Sequence, residues 1–260
     1  MRTISVKSAA RILDVLELMA SLSEGIRVNE LARQMGIPRS SASALVATLE
    51  GRGYIYAAGD GYRLAEVYRD AGWVGGGMSA LLRAGQSVMG PLVAETGESA
   101  FLGVPTPALE VRYIAKKVSA NPLRYDVGVE FLRPAYCTSI GQVILSGLDD
   151  AALDEYLGTH PLTASTPRTV TDPDAIRAAI DRGRSQGYIT IADSNVLGAS
   201  GVAAPVRASG RIVAGLAVIA PSARFDAARE PIIEAVVRAA REITARLAQP
   251  GPAQPDEASA

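Results

Sequence analysis

The residue types that do covalent chemistry are sparse in this chain. Cys137 is the only thiol and His160 the only imidazole. A Cys–His pair is conceivable, but it also wants an orienting group and a pocket, and the sequence supplies neither. The plainer reading makes Cys137 a small buried hydrophobe and His160 a solvated loop residue. Ser200 stands in Gly198-Ala199-Ser200-Gly201-Val202, which lacks the second glycine of a nucleophile elbow. The run Gly75-Gly76-Gly77-Met78-Ser79-Ala80 has the spacing of a dinucleotide fingerprint. No convincing strand precedes it, so it reads as a hinge. With no cluster of His and Cys at ligand spacing, no metal, cofactor or enzymatic activity is expected.

What remains is recognition chemistry, and it concentrates on one segment. From about Arg39 to Arg52 the residues Ala42, Leu45, Val46 and Leu49 share one face of a helix that turns about 100 degrees per residue. The opposite face then carries Ser40, Ser43, Ala44 and Ala47, with Arg39 and Glu50 at its edges. A guanidinium there can reach a guanine or a phosphate, serine hydroxyls can meet base edges or phosphates, and Ala44 can meet a thymine methyl. The alternative is a helix used for protein contacts, with Ser40 and Ser43 merely solvated.

The elements around that helix must hold its apolar side. Ile12, Leu13, Leu16 and Met19 recur at helical spacing and predict a first helix from Ala9. A second helix follows Ser23-Glu24-Gly25, with Asn29 as its N-cap and Leu31, Ala32 and Met35 inward. Gly36-Ile37-Pro38 ends it, and Gly53 ends the third. Two strands, Tyr54 to Ala57 and Tyr62 to Leu64, flank Gly59-Asp60-Gly61, where Asp-Gly is a hairpin signal. Helix, helix, tight turn, helix, hairpin is the order of a winged helix-turn-helix. Trp73 to Gly77 reads as an interdomain hinge, and a helix from Met78 to about Glu95 continues it, kinked at Pro91.

Beyond Gly97 strands and helices mix. Strands are expected at Phe101 to Val104, Glu110 to Lys117, Tyr188 to Ala192, Gly201 to Arg207 and Ile212 to Ile219. Helices are expected at Thr138 to Ser146, Asp149 to Leu157, from Asp172 or Asp174 to Gly187, and at Glu230 to Leu247. The expected class is α+β: residues 1–66 as the winged helix-turn-helix, 67–96 as a linker helix region, 97–248 as an α/β domain, and 249–260 as a disordered tail. The 48% hydrophobic content of the 260 residues can fill such cores. A net charge of -1 leaves no global field for a polyanion, so any DNA contact is local; residues 27 to 63 hold five Arg against three acids. One cysteine, no secretory h-region and no long uncharged apolar stretch make a cytoplasmic protein without membrane contact the default.

The run VNELARQMGIPRSSASALVATLEGRGYI, Val28 to Ile55, and the wing GDGYRL, Gly59 to Leu64, closely resemble the helix-turn-helix of IclR-family transcriptional regulators. LRPAYCTSIGQVIL (132–145), TDPDAIRAAI (171–180), GYITIAD (187–193) and GVAAPV (201–206) resemble that family's effector domain in the same order. The resemblance spans roughly residues 5 to 247 and implies a sequence-specific, DNA-binding homo-oligomer whose GAF-like C-terminal domain binds a small-molecule effector. The DNA contacts it implies are Arg39, Ser40, Ser41, Ser43 and Ala44, with Arg27, Arg52 and the wing's Arg63 on phosphates. Many members carry His then Arg where this chain has Ser43 and Ala44, so base readout here is lighter.

By the same resemblance the effector site falls on Thr138, Ser139 and Ile140, whose amides and hydroxyls near a helix start can hold a carboxylate. Asp193 is implied as a polar pocket residue, Gly201 faces it, and Ser200 and Ala217 are counted with them. Many relatives have Cys at Gly201, and Ala217 and Ile219 are less polar than the hydroxyl residues some relatives use. The expectation is therefore a larger, more apolar pocket for an aromatic or similarly bulky carboxylate, with Leu102, Tyr125 and Tyr136 as wall residues. The alternatives are that Thr138 and Ser139 only cap a helix, that the tyrosines are core, and that the C-terminal half only dimerises.

Overall fold

The computed structural model describes residues 7–22, 24–65, 76–129 and 131–248. It divides into two compact units between Ala80 and Leu81. Residues 73–75 of the expected hinge and the tail 249–260 lie outside the described residues; Gly76 and Gly77 open a helix.

The first unit runs α1 (Lys7–Ser21), α2 (Val28–Gln34), α3 (Arg39–Gly51), β1 (Ile55–Ala58) and β2 (Gly61–Leu64). Val15, Leu16 and Met19 of α1 meet Leu31, Ala32, Ala42, Val46, Leu49, Ile55 and Leu64 in one core. Leu13, expected inside, is 59% exposed, and Val15 takes the inward position. The N-cap of α2 is Arg27, not Asn29, and no side chain caps it. Asn29 lies one residue inside the helix, so its side chain is too far along to serve the first amides. Gly36 takes φ +60 between α2 and α3, and the Ile37 amide donates to the Ala32 carbonyl at 3.0 Å.

The hairpin loop consists of Gly59 and Asp60, since Ala58 pairs with Gly61. Neither loop residue is left-handed; Gly61 is, at φ +139. Its need for glycine is one of space as well, because a Cβ there would lie 2.6 Å from the Ile26 carbonyl carbon. Ile26 and Tyr62 exchange both backbone hydrogen bonds at 2.9 Å, which ties the hairpin to the chain ahead of α2.

The helix α4 (Gly76–Thr96) crosses the division, and the second unit continues through β3 (Ser99–Pro105), β4 (Val111–Lys117), β5 (Leu132–Arg133), α5 (Ser139–Leu145), α6 (Asp150–Thr159), α7 (Pro173–Gln186), β6 (Ile189–Ala192), β7 (Ala199–Ala208), β8 (Arg211–Pro221), α8 (Ser222–Ala227) and α9 (Arg229–Leu247). The six strands form one sheet in the order β5-β4-β3-β8-β7-β6, with every neighbouring pair antiparallel. Side chains alternate across a strand, and both faces are covered. Phe101, Val111, Tyr113, Ala203 and Ala217 pack with α5, α6 and α7. On the other face α9 lies along β7 and β8, burying Ile232, Ile233, Val236, Ala240 and Ile243. Each such Ile or Val side chain contributes roughly 1.5–3 kcal/mol on full burial.

The caps follow local chemistry. Thr138, Asp149 and Asp172 accept hydrogen bonds from amides two or three residues on, and Pro173 follows Asp172 at the first helical position. Gly187 ends α7 at φ +83. The short β5 and α8 carry no periodic signal in the sequence. They form because β5 pairs with β4 and α8 buries Phe225.

Candidate functional site

Two features of this fold are candidates for recognition, one in each unit. In the first, α3 buries Ala42, Val46 and Leu49 and exposes Arg39, Ser40, Ser43, Ala44, Ala47, Thr48 and Glu50. Ser41 is half-buried. The exposed strip is therefore short-chained apart from Arg39 and Glu50. Thr48 belongs to it but was not singled out in the sequence, because its position lies one turn beyond Ala44, whose carbonyl accepts from the Thr48 hydroxyl at 2.8 Å. Arg27 and Arg52 flank the strip, exposed, at the start of α2 and the end of α3. No ion pair among the described residues involves Arg27, Arg39 or Arg52.

Arg63 differs. It was expected on phosphate, yet it pairs with Asp60 through two hydrogen bonds, of 3.2 and 2.5 Å. Asp60 also accepts from the Gly25 amide at 2.9 Å, so the wing is clipped to the loop before α2. The Arg63 pair, then the Gly25 amide, hold the Asp60 carboxyl well below the usual carboxylate range. A carboxylate held down in the folded state stabilises above its unfolded pKa and loses that contribution as pH falls through the lower, folded value. Asp60→Asn is accordingly expected to destabilise the winged unit by a constant amount from about pH 7 to pH 5, with the difference from wild type shrinking below about pH 4. Denaturant melts at several pH values measure this, and a difference that grew below pH 4 would contradict the clip.

The second is a partly open pocket of about 30 Å³ between the start of α5 and strands β4, β6, β7 and β8. Tyr113, Tyr125, Cys137, Thr138, Ser139, Ile191, Asn195, Val196, Ala199, Ser200, Gly201 and Ile219 line it. Of the residues expected there, Tyr125, Thr138, Ser139, Ser200 and Gly201 are present. The volume is far below the roomy pocket expected, room for about two waters. The reason lies across the strand pair: a Cβ on Gly201 would sit 3.0 Å from Ile219 Cγ1 and 2.8 Å from the Val218 carbonyl oxygen. Ile219 fills the space that glycine releases.

Thr138 spends its hydroxyl on the fold, donating to the Pro134 carbonyl at 3.0 Å and accepting from the Gly141 amide at 3.2 Å. Its capping role is thus the one the bland alternative gave it. Ser139 and Tyr113 are 6% and 3% exposed, and neither side-chain hydroxyl has a hydrogen-bond partner among the described residues. Burial pushes the Tyr113 hydroxyl pKa up, so it is a neutral donor. Two buried orphan hydroxyls facing one cavity are unusual, since buried polar groups are nearly always paired. Behind the tyrosines the Arg133 guanidinium stacks 4.3 Å from the Tyr113 ring centre. It donates to the Phe131 and Gly128 carbonyls at 2.7 and 3.0 Å. Burial pushes the Cys137 thiol up as well, and Asn195 Oδ1 lies 3.9 Å from its sulfur. His160 contacts the Ala108 carbonyl and stacks on Tyr156.

Five expected residues fall elsewhere. Leu102 points to the opposite face of the sheet, against α4, where its Cδ2 occupies the place a Gly85 Cβ would take. Its neighbour Phe101 faces the cavity side and contacts Tyr113 and Tyr125 at ring separations of 5.0 and 5.6 Å; a period-2 strand cannot send both inward. Tyr136 is buried, with its hydroxyl donating to the Thr163 carbonyl. Ile140 packs onto Gly103 and Gly215 beneath α5, and Ala217 is sheet core beneath the same helix layer. Asp193, left-handed at φ +56, turns its carboxylate to the Ser222 hydroxyl at 2.7 Å, the Gly198 amide at 2.8 Å and Arg168 at 3.1 Å. Ser222, then Gly198, hold its carboxyl below the usual range. Tyr113, Ile191, Asn195 and Val196 were missed. Tyr113 and Ile191 carried a signal, alternating with Val111 and Ile189 on expected strands.

Among known proteins, the description "IclR helix-turn-helix domain" matches residues 8–59, and "Bacterial transcriptional regulator IclR C-terminal" matches residues 79–245. The Pca regulon regulatory protein of Pseudomonas putida is 29% identical over 213 residues, covering 81% of this chain and 73% of that protein. The crystal structure of a transcriptional regulator from Rhodococcus sp. RHA1, 27% identical, superposes with a TM-score of 0.62 over 94% of this chain and 98% of that one. An IclR homolog from Microbacterium hydrocarbonoxydans, complexed with 4-hydroxybenzoate, is 24% identical and shares the fold with a TM-score of 0.60 over 92% and 98% of the two chains. No helix among the described residues is long and apolar enough to cross a membrane.

Proposed function

The chain belongs to the IclR family of bacterial transcriptional regulators, and from that premise we propose that it binds operator DNA as a homo-oligomer through the exposed strip of α3 and releases or repositions on it when an aromatic carboxylate enters the α5 cavity. The observation that carries the effector half is the pair of buried, unpartnered hydroxyls of Ser139 and Tyr113 on one cavity wall. A carboxylate accepts from both, and the Arg133 guanidinium stacked behind Tyr113 favours negative charge there. Tyr113 and Tyr125, with Phe101 behind them, offer ring faces to an aromatic ligand.

Such a ligand exceeds the resting volume, so its entry requires movement. The tip Asn195 to Leu197 is the side able to give way, since Val196 lines the cavity while it and Leu197 are 41% and 63% exposed. A ligand that fits only the opened form binds that form preferentially, which is the condition for shifting a conformational equilibrium. The two headpieces of an oligomer would then fit paired half-sites differently with and without effector. Relatives include regulators of the Pca regulon, and control of a catabolic operon is the role proposed here.

Mobility shifts on the DNA flanking the gene test this, with benzoate and 4-hydroxybenzoate added. Retarded bands that respond to an aromatic acid at concentrations where acetate and pyruvate do nothing are expected; response to the short acids alone would refute the aromatic reading. A second expectation concerns Ile219, which limits the volume. Ile219→Ala removes three carbons from the cavity wall, so the variant melts lower when empty and tightens for benzoate by about ten- to sixty-fold, at roughly 0.8 kcal/mol for each of the two to three carbons that the ring replaces. Calorimetric titration of both proteins measures it, and unchanged affinity would show that Ile219 does not bound the site.

A further inference from the structure

The outward side of α3 changes character along its length. Arg39, Ser40 and Ser43 bring hydrogen-bonding groups to its start, and all three are exposed. Beyond Ser43 the exposed positions are Ala44, Ala47, Thr48, Glu50 and Gly51, while Val46 and Leu49 are committed to the core. Thr48 has no proton left to give: its hydroxyl donates to the Ala44 carbonyl at 2.8 Å. Its side chain therefore offers a partner a Cγ2 methyl and an acceptor oxygen, but no donor. At about 100 degrees and 1.5 Å per residue, Ala44, Ala47 and Thr48 carry three methyl groups within an arc of about 100 degrees and about 6 Å of helix axis. Glu50 lies about 60 degrees outside that arc, on the Arg39 side. In the helix-turn-helix matched over residues 8–59, the outward side of this helix is the one that enters the major groove.

We propose that α3 reads thymine through its C5-methyl group, with Ala44, Ala47 and Thr48 as the specificity-determining residues, so that each operator half-site carries thymines beside the contact made by Arg39. Thymine is the base that shows a methyl group on its major-groove edge, and an apolar side chain selects it by covering that methyl. Each methyl so covered raises affinity by a factor of about four. A cytosine in the same place sets its amino group against Ala44 or Ala47, where it loses water and gains no acceptor. The serines and Arg39 then fix the register at the start of the helix, and the methyl groups discriminate along the rest of it. This inference rests on α3 entering operator DNA, as proposed above.

The test uses the full-length protein and a fragment from beside its gene that it retards, prepared once with thymine and once with deoxyuridine in place of thymine. The two DNAs differ only by the C5-methyl groups. Anisotropy titrations are expected to show about ten-fold or more tighter binding to the thymine form, the product of two or more covered methyls. Random-sequence DNA of the same length shows no such difference. Thr48→Ser deletes the methyl and keeps the hydroxyl, and the ratio between the two DNAs falls by about four-fold or more. Thr48→Val keeps the methyl and deletes the hydroxyl, and the ratio is retained. Ala44→Gly and Ala47→Gly lower the ratio as well; because it is taken within one protein, their cost in helix stability cancels. Equal affinity of wild type for the two DNAs, both bound above random sequence, overturns methyl reading and leaves α3 on the operator. A ratio kept in Thr48→Ser and lost in Thr48→Val assigns the effect to the hydroxyl and also overturns it. Retardation of no fragment overturns the operator reading, and this inference with it.

Discussion

Alanine at Gly141 is expected to lower the melting temperature of the effector domain by roughly 6–12 °C and to abolish ligand-induced stabilisation. Gly141 sits on the first turn of α5, where a Cβ would lie 2.3 Å from both Cα and the carbonyl oxygen of Ala135. These are backbone atoms, so no rotamer change relieves the contact. Either α5 or the segment before it must move. Overpacking of a core costs typically 1–3 kcal/mol, and a backbone clash belongs at the upper end. For a domain of this size each kcal/mol shifts the melting temperature by about 2–4 °C. The functional loss follows from the same geometry. The Gly141 amide donates to Thr138 Oγ1, and Ser139 is the next residue along the cavity wall, so displacing α5 removes the cap and the orphan hydroxyl together. Differential scanning fluorimetry with and without benzoate measures both effects. A variant within 2 °C of wild type would mean that α5 tolerates a shift the packing density forbids.

Arg39→Ala is expected to weaken binding to the cognate operator by about ten- to a hundred-fold, the cost of one lost bidentate base contact or strong phosphate contact. The weight falls on Arg39 because the rest of the α3 strip is Ser40, Ser43, Ala44, Ala47 and Thr48, whose reach is short. It is also the one exposed cation at the start of that helix, and no acidic partner among the described residues neutralises it. The salt dependence separates two roles. If Arg39 meets a phosphate, the variant loses affinity for all sequences alike and the slope of log K against log salt falls by about one. If it reads guanine, discrimination between operator and random DNA falls instead. Fluorescence anisotropy at three salt concentrations measures both. Affinity, specificity and slope all unchanged would remove α3 from the interface. Arg63, by contrast, is already engaged by Asp60, and Arg63→Ala is expected to act mainly through the wing's stability.

The helix-turn-helix was legible because its determinants are local. Gly36 supplies the left-handed residue between α2 and α3, Pro38 precedes the helix it starts, and the apolar spacing of Ala42, Val46 and Leu49 fixes which side of α3 faces inward. The same holds for the Asp149 and Asp172 caps and for Gly187. Each of these is decided within a few residues by backbone sterics or a short-range hydrogen bond, so the chain needs no distant partner to declare it. Leu13 and Asn29 mark the limit of such reasoning. A helical stripe is wide enough to admit Leu13, and only the packing of α1 chose Val15 instead; Asn29 could cap, and only the extended Arg27 backbone placed the helix start before it.

The effector cavity depended on contacts the sequence does not encode locally. Alternation along β3 predicts that Phe101 and Leu102 oppose each other, but which one faces α5 was settled by the sheet order β4-β3-β8 and by α4 covering the other side. The loss of a side chain at Gly201 suggested room, and the cross-strand partner Ile219 took that room away. On the sheet face opposite that cavity, Ser200, Ser222 and Asp193 stand 22 and 29 residues apart, joined only because β7, α8 and the β6–β7 loop meet at one end of the sheet. Local sequence therefore determined the elements and the DNA-facing helix, where the energies are those of turns, caps and one amphipathic stripe. Tertiary structure alone decided the shape and size of the cavity, because those properties belong to pairs of residues brought together by strand pairing and to the space left between them.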